Sequence, residues 1–587
     1  MNIAVVQFNP KTAALRSNAE RALAIIDSLA ESTDPPDLVV FPALALSGAN
    51  VKGLIYHNAF AAECIDVLRD FMERSSLPTL LGTLVPRHLE DCCAFICEPE
   101  VIFCRDGKGS ALGFVDVNNE LSDDRYASSI DFEFDGLMLT VVLNDYPEPE
   151  DDFSGSDLVV LMLAKEYGGT SSLFTSSTQI HYLRMLAEEN EASLVVANLT
   201  GAQDEAVYDG ASIVLDRYGG ICGSAEPFDE QVLSVNINMD GISVDTLSGD
   251  RKVRSKTKKD KKIIKPLLPC EADWRALRLA LHDYTAKNGF TDVVFGLSGG
   301  IDSACVAALA AEALGNEHVH GVIIPGPFSK QESINDALSL ADSLGIPTLT
   351  ISITDLFNLS RDVLGQGGSQ DASSIALENL QARLRMIVLM YLANVNGWLL
   401  LNTGNKSETA VGYTTLYGDA AGGFSPIGNL YKTDIYELLE WRNGKSPVVP
   451  HEIMNKAPSA ELHADQLDTD SLPSYEVLDR ILRLHIEDDY GIDEILEVSK
   501  QQSGEPELDP DLIVSVLEMV KRAEFKRRQS PQAPTLGTVA MVDERNWPVT
   551  CGFIDYDRKL IRDSDIVDWL DTTYIKGGPQ GADILKN

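Results

Sequence analysis

Paired cysteines are missing from this chain. Its nine cysteines stand at positions 64, 92, 93, 97, 104, 222, 270, 305 and 551, an odd set without any Cys-x-x-Cys spacing. Structural zinc and iron–sulfur sites want paired thiolates and histidine partners, so the set argues against both and reads as cytosolic thiols. Positive charge is scarce as well: 48 Lys and Arg against 89 Asp and Glu leave a net charge of −41. A surface of that sign repels phosphate backbones and anionic lipid, so neither nucleic acid nor a membrane is expected as a partner. The opening Met1-Asn2-Ile3-Ala4-Val5-Val6-Gln7-Phe8 is a short strand pattern without a basic leader or long apolar core. The expectation is a cytoplasmic chain with no signal peptide and no membrane span.

What is present is enough for two large domains, since 587 residues exceed one core at roughly 150 residues per domain. Strand-like runs such as Ile3 to Phe8, Leu38 to Phe41, Leu137 to Leu143 and Leu158 to Leu163 alternate with helical patterns before residue 250, which favours an α/β layer fold. A basic stretch from Arg251 to Lys262 then interrupts the acidic chain without apolar periodicity and reads as an exposed linker over 251–265. Helix, strand, glycine-rich loop, helix and strand follow in order from residue 266, the pattern of a doubly wound parallel sheet with ligands at the carboxyl ends of its strands. This second domain runs to about 553. An acidic extension, 554–587, carries Asp555, Asp557, Asp563, Asp565 and Asp568 beside Trp569 and Leu570.

The glycine-rich loop is Gly296-Leu297-Ser298-Gly299-Gly300-Ile301-Asp302-Ser303, between the apolar run Asp292 to Phe295 and a helical pattern from Ala304. Glycines let successive N–H groups face one anion, and the following helix adds its positive N-terminal end. The lysine of a Walker loop, which grips the terminal phosphates for γ-transfer, is absent. Ser-Gly-Gly-x-Asp-Ser instead resembles the PP-loop of ATP pyrophosphatases, which release pyrophosphate and adenylate their substrate. Asp302 suits a helix start, and beside a triphosphate it is a candidate Mg²⁺ ligand.

Further on stand Glu378 to Arg385, in which Asn379 and Arg383 share a helix face, then Thr403-Gly404-Asn405-Lys406-Ser407-Glu408, Gly412 to Asp419, Pro458 to Leu462, Asp479 and Phe525 to Gln529. With these motifs the chain resembles NAD synthetase of the two-domain, glutamine-dependent type, from residue 1 to about 553. The resemblance implies that the nicotinate carboxylate of deamido-NAD attacks the α-phosphate of ATP, and that ammonia then displaces AMP from the NAD-adenylate. It also implies roles: Gly296 to Ser303 and Thr403 for ATP, Asp302 and Glu408 for Mg²⁺, and Asn379, Glu408 and Lys526 for deamido-NAD. Two carboxylates suit a hard cation, and a lysine suits a phosphate or carboxylate. Gly326-Pro327 departs from the pattern, where the family often has Ser-Arg. Homodimers through the synthetase domain, or larger assemblies, are implied too.

Residues 1 to about 250 resemble a nitrilase-type amidase, an α-β-β-α sandwich that hydrolyses glutamine with a Glu–Lys–Cys triad. The marks are Val39-Val40-Phe41-Pro42, Asp123-Asp124-Arg125-Tyr126, Asn198, Gln203-Asp204-Glu205 and Asp209-Gly210-Ala211-Ser212. The triad itself is absent: Ala43 stands at the Glu position, Leu112 or Gly113 at the Lys position and Leu143 at the Cys position. Alanine and leucine neither attack an amide nor move a proton, so the expectation is a pseudo-amidase joined to a synthetase that uses free ammonia. Three alternatives stay open: ammonia from a separate glutaminase, glutamine use through unrecognised residues such as Cys104, and a noncatalytic nucleotide-binding regulator.

Overall fold

Short runs of valine and leucine bounded by turn residues build most of the N-terminal half, as their length and spacing lead one to expect. The structure, a computed structural model, describes residues 1–88, 95–104, 129–143, 153–168, 177–238, 241–247, 266–365, 374–463, 466–501, 506–537, 539 and 547–550. The linker 251–265, Leu112, Gly113, Asp123 to Tyr126 and the extension 554–587 lie outside the described residues.

Two six-stranded sheets form the first domain. One has the order β14 (Gly241–Leu247), β13 (Gln231–Asn238), β1 (Asn2–Gln7), β2 (Leu38–Val40), β3 (Thr79–His88) and β4 (Phe95–Cys104). The other has the order β12 (Ile221–Ser224), β11 (Ile213–Leu215), β8 (Ser193–Asn198), β7 (Leu158–Leu163), β6 (Leu137–Leu143) and β5 (Ser129–Phe134). Along β7 the side chains divide by the two-residue strand period: Leu158, Val160 and Met162 enter the core shared by both sheets, and Val159, Leu161 and Leu163 pack on α3 (Ser177–Glu189). Helices α1 (Leu15–Ala30) and α2 (Asn58–Arg74) supply Leu23, Ile26, Val67 and Phe71 on the far side of the first sheet, completing an α-β-β-α sandwich.

The second domain is built on four parallel strands in the order β17 (Thr348–Thr350), β16 (Val319–Ile323), β15 (Val293–Gly296) and β18 (Leu399–Leu400). Strands run outward from β15 on one side and β18 flanks it on the other, so the order reverses beside β15, the place where such sheets bind ligands. Helices α4 (Pro269–Lys287) and α5 (Ile301–Leu314) bury Trp274, Leu277, Leu281, Val306 and Leu309 with this sheet's Val293 and Phe295.

The halves are joined through α4 and the hairpin of β9 (Thr200–Gln203) with β10 (Ala206–Asp209). Asp283, 5% exposed, accepts from Asn9 Nδ2 and the Ala202 N–H at 2.8 Å each and pairs with Lys287 Nζ at 3.0 Å. Lys287 Nζ also donates to Asn9 Oδ1 at 2.7 Å, to the Ala202 carbonyl at 2.7 Å and to the Pro10 carbonyl at 3.0 Å. The approach is so close that a Cβ on Gly201, at φ +105°, would lie 1.9 Å from Asn9 Oδ1. Burial alone would raise the Asp283 carboxyl, but His282, Lys287, the Ala202 N–H and Asn9 together bring it down to about 2. Burial moves the Lys287 ammonium down too, despite Asp283, so the net favourable part lies in the bonds the carboxylate collects.

Removing one partner of a buried pair strands the other. Asp283→Ala is therefore expected to destabilise the chain by about 3–5 kcal/mol in denaturant unfolding near neutral pH. The lowered carboxyl contributes fully above the ~3.9 of an unfolded aspartate and loses that contribution as pH falls toward 2. The gap between the two proteins should narrow by roughly 2 kcal/mol over that window. A gap below about 1 kcal/mol at neutral pH would mean the junction is not held by this pair.

Candidate active site

Asp302, Glu408 and Lys432 meet because three helices begin at one point. Asp302 lies in the first turn of α5, and Glu408 in the first turn of α9 (Lys406–Val411). Lys432 is the first residue of α10 (Lys432–Lys445). Asn405 fixes the start of α9, its side chain accepting from the Glu408 N–H at 2.9 Å and donating to Asp302 Oδ1 at 3.2 Å. Lys432 Nζ, 3% exposed, stands 2.5 Å from Asp302 Oδ2 and 3.2 Å from Glu408 Oε1. Tyr475 bridges Glu408 to the buried Asp468, at 3.3 and 2.9 Å. Burial raises the carboxyls of Glu408 and Asp468, with the Lys432 charge opposing the rise in each. The Lys432 ammonium is held charged: burial would lower it, but Asp302 and Glu408 more than offset that.

The phosphate loop is tighter than the sequence suggests. Gly296 closes β15, and Ile301 to Ser303 already belong to α5, which leaves Leu297 to Gly300 as the turn. Gly299 has φ +77°, and a Cβ there would sit 2.3 Å from the Ser333 carbonyl oxygen, so both backbone and space demand glycine. Ser303 Oγ lies 3.0 Å from Ser298 Oγ and donates to the Gly300 carbonyl at 3.0 Å, bracing the turn from within.

Gly296 to Ser303, Thr403 and Glu408 all line one cavity of about 310 Å³ at the carboxyl ends of β15, β16 and β18. Pro458 to Leu462 close another side. Asn379 and Lys526 are not among its lining residues. Asn379 Oδ1 accepts from Thr415 Oγ1 at 2.7 Å, and Lys526 Nζ donates to the Gly412 and Thr414 carbonyls at 2.7 and 2.8 Å. Arg383, one turn beyond Asn379, donates to the Leu416 carbonyl at 3.0 Å. These three side chains hold the 412–419 segment, whose Tyr413, Thr414 and Asp419 do face the cavity. Asp479, read as a motif residue, accepts from the Thr433 N–H and hydroxyl at 2.9 Å and from Ser407, tying the starts of α9 and α10.

Sequence reasoning missed Lys432, Asp468 and Lys456 in the cavity wall and assigned no role to Arg385. Lys432 follows Asn429-Leu430-Tyr431 in no recognised motif, and its partners are 24 and 130 residues away. Arg385, half-buried, with its guanidinium lowered by removal from water, donates to the Ile324 carbonyl at 3.2 Å. A Cβ on Gly326 would lie 3.1 Å from its Nη2, so glycine at the family's Ser position leaves room for this guanidinium. Converging carboxylates with a phosphate loop are a donor set a hard cation fits. Among the described residues, no group of three or more His, Cys, Asp or Glu side chains is placed to hold a metal by itself.

The amidase positions are different in kind. Ala43 and Leu143 are each 0% exposed and belong to the apolar core between the sheets. Cys104 is 1% exposed in the same core, and burial pushes its thiol up to about 12, far from an activated nucleophile. The Lys position lies outside the described residues.

A family model described as NAD synthase matches residues 273–530. The glutamine-dependent NAD(+) synthetase of Aquifex aeolicus is 34% identical, over 94% of this chain and 100% of that protein. That of Synechocystis is also 34% identical, over 90% and 94%. Among solved structures, glutamine-dependent NAD+ synthetase from Acinetobacter baumannii in complex with ADP is 27% identical at a TM-score of 0.66, covering 95% of this chain and 99% of that one. The relatives' name carries glutamine dependence, so it runs against the expectation of a pseudo-amidase using ammonia, and they match along both halves of one chain rather than a synthetase with a separate glutaminase. No helix among the described residues is long and apolar enough to cross a membrane.

Lys432→Met leaves Asp302 and Glu408 facing each other unpaired, so it should lower unfolding stability by about 3–5 kcal/mol and, at temperatures where circular dichroism shows the variant folded, lower ATP–pyrophosphate exchange roughly 100-fold or more. Exchange within about threefold of the parent would remove Lys432 from the chemistry. Gly299→Ala should abolish saturable ATP binding in a calorimetric titration, because the added methyl meets backbone that cannot retreat.

Proposed function

The chain belongs to the NAD synthetase family in its two-domain, glutamine-dependent architecture, and from that premise we propose that it amidates deamido-NAD with cleavage of ATP, taking its nitrogen as free ammonia. A nicotinate carboxylate oxygen attacks the α-phosphorus, and pyrophosphate leaves with the electrons of the broken P–O bond. Ammonia then adds to the acyl carbon, AMP departs with its oxygen, and a proton is lost to give the amide.

Each step has a place in the cavity. The turn Leu297 to Gly300 and the N-terminal end of α5 receive the phosphates, and Thr403, which lines the same cavity, contacts ATP. Lys432 holds positive charge where the leaving pyrophosphate develops negative charge. Asp302 and Glu408 are the residues that would hold Mg²⁺, which when bound spreads the charge of that leaving group. Asn379 and Lys526 serve deamido-NAD through the 412–419 segment they secure. A second copy of the chain is expected on the exposed apolar face of α7 (Thr354–Gly365) and α8 (Ser374–Asn396), where Leu359, Val363, Leu364, Ile387, Tyr391 and Val395 are 58–67% exposed. Because α8 also supplies Arg385 and Met386 to the cavity, that copy would stand beside the site.

The ammonia reading rests on the apolar, fully buried side chains at positions 43 and 143, which leave a nitrilase-type site without nucleophile or base. The relatives' name favours a second reading, in which glutamine is used through other residues or a partner. NAD formation from deamido-NAD and Mg-ATP, with ammonium chloride or glutamine as sole donor, separates them. Ammonium should support turnover and glutamine should fall roughly a thousandfold below it. Equal rates would establish the second reading, and activity with neither would leave the noncatalytic one.

A further inference from the structure

A small cavity adjoins the large one. It measures about 20 Å³ and shares Asn402, Gly404, Thr414 and Asp419 with the nucleotide cavity. That is room for one molecule of water size and for no part of a nucleotide. Of the reactants, only ammonia is so small. Asn402, Thr409, Thr414, Asp419, Ser425 and Ser530 give its wall side-chain oxygens, the partners that N–H donors need.

The outer wall of this chamber, Ser530, Pro531 and Ala533, belongs to a segment without helix or strand. Its fastenings come from two sides. From the synthetase domain, the Ser425 N–H donates to the Gln532 carbonyl at 2.9 Å, and Asn429 Nδ2 donates to the Ala533 and Pro534 carbonyls at 3.3 and 3.2 Å. From the amidase-like domain one residue reaches it twice. Glu205 Oε2 accepts from Gln532 Nε2 at 2.8 Å, and the Glu205 carbonyl accepts from the Thr535 N–H at 2.9 Å.

Glu205 is itself set in place before it makes those bonds. It sits in the turn between β9 and β10, the hairpin against which α4 packs. Asn50 Nδ2 donates to its Oε1 at 3.2 Å, and Lys52 Nζ pairs with the carboxylate at 3.1 Å. Lys52 does so from φ +47°, a backbone region that residues with a Cβ rarely enter. Burial would raise the Glu205 carboxyl, yet its hydrogen bonds and the Lys52 charge keep it below the usual range. A charged acceptor, fixed from its own side, therefore grips the neighbouring domain's Gln532.

We propose that Glu205 is a positioning residue for the amidation half of the reaction: the amidase-like domain, through Glu205, holds the 530–535 wall of the chamber in which ammonia approaches the adenylate. The proposal rests on the synthetase reading given above. It places the effect of the domain on the nitrogen side, since the hydrogen bonds of this segment go to Glu205, Ser425 and Asn429 and not to the phosphate loop or to Asp302, Lys432 or Glu408.

The two halves of the reaction can be read separately on the full chain. ATP–pyrophosphate exchange with deamido-NAD needs no nitrogen donor; NAD formation does. Glu205→Ala and Gln532→Ala are each expected to raise the KM for ammonium roughly tenfold, while exchange and the KM for ATP stay within about twofold. The double variant should be no worse than either single one, because both remove the same bond. Glu205→Gln keeps one acceptor oxygen for Gln532 but loses the Lys52 ion pair, and should raise the KM for ammonium less than Glu205→Ala does. Exchange and amidation falling together, additive effects in the double variant, or an unchanged KM would each overturn the proposal, and Gln532→Ala decides it alone if Glu205→Ala does not fold. A parent chain that works with glutamine and not with ammonium refutes the ammonia reading instead; the same split, measured with glutamine as donor, then still decides the role of Glu205.

Discussion

The arrangement of the synthetase half depends on one buried ammonium. Asp302 and Glu408 converge on one cavity, which gathers like charges in a partly dry place. Two such charges about 4 Å apart repel by roughly 4 kcal/mol at an effective dielectric constant of 20. Lys432 resolves this by standing between them, and the first turns of α5, α9 and α10 are drawn to a common point as a result. Helix N-termini favour anions, so the same geometry that suits the two carboxylates also suits phosphate. The site is thus balanced for a ligand that brings more negative charge together with a cation of its own.

That balance needs firm support, and it comes from residues that never face the cavity. Asp479 ties Ser407 to Thr433 and so fixes two of the three helix starts. Asn379, Arg383 and Lys526 secure the 412–419 segment through its hydroxyl and carbonyl oxygens. A displacement of about an ångström among reacting groups costs a large part of a rate enhancement, which gives such remote fastening a direct chemical effect.

What the sequence disclosed follows from how local each signal is. The phosphate loop was legible because strand, turn and helix are contiguous and the steric demand at Gly299 is met by one residue type. The sandwich was legible in β6 and β7, whose apolar runs are bounded by turns. Lys432 was not, since its function is defined by carboxylates far along the chain and nothing beside it in sequence marks it. Asn379 and Lys526 show the converse: a motif named the right segment of the fold, but the side chains act on backbone one layer away from the cavity. The hairpins β9–β10 and β13–β14 also escaped the reading of alternating strands and helices, because short antiparallel pairs carry weak periodicity.

On the proposed reading, a domain with alanine at its base position and leucine at its nucleophile position still keeps its shape. Ala43 and Leu143 are packed into the core between the sheets, so apolar side chains at these two positions are accommodated without loss of the fold. The junction with α4 is of another sort. Asp283 and Lys287 are satisfied there by Asn9, Pro10 and Ala202, all from the amidase-like half, and a helix face lies over the β9–β10 hairpin. Take that half away and a buried ion pair loses most of its hydrogen bonds while the face of α4 that lies over Ala202 and Val207 in the shared core opens to water. On the proposed reading, loss of chemistry is a change at a few positions, whereas loss of the domain is a change in the stability of the synthetase, and the two are free to part company.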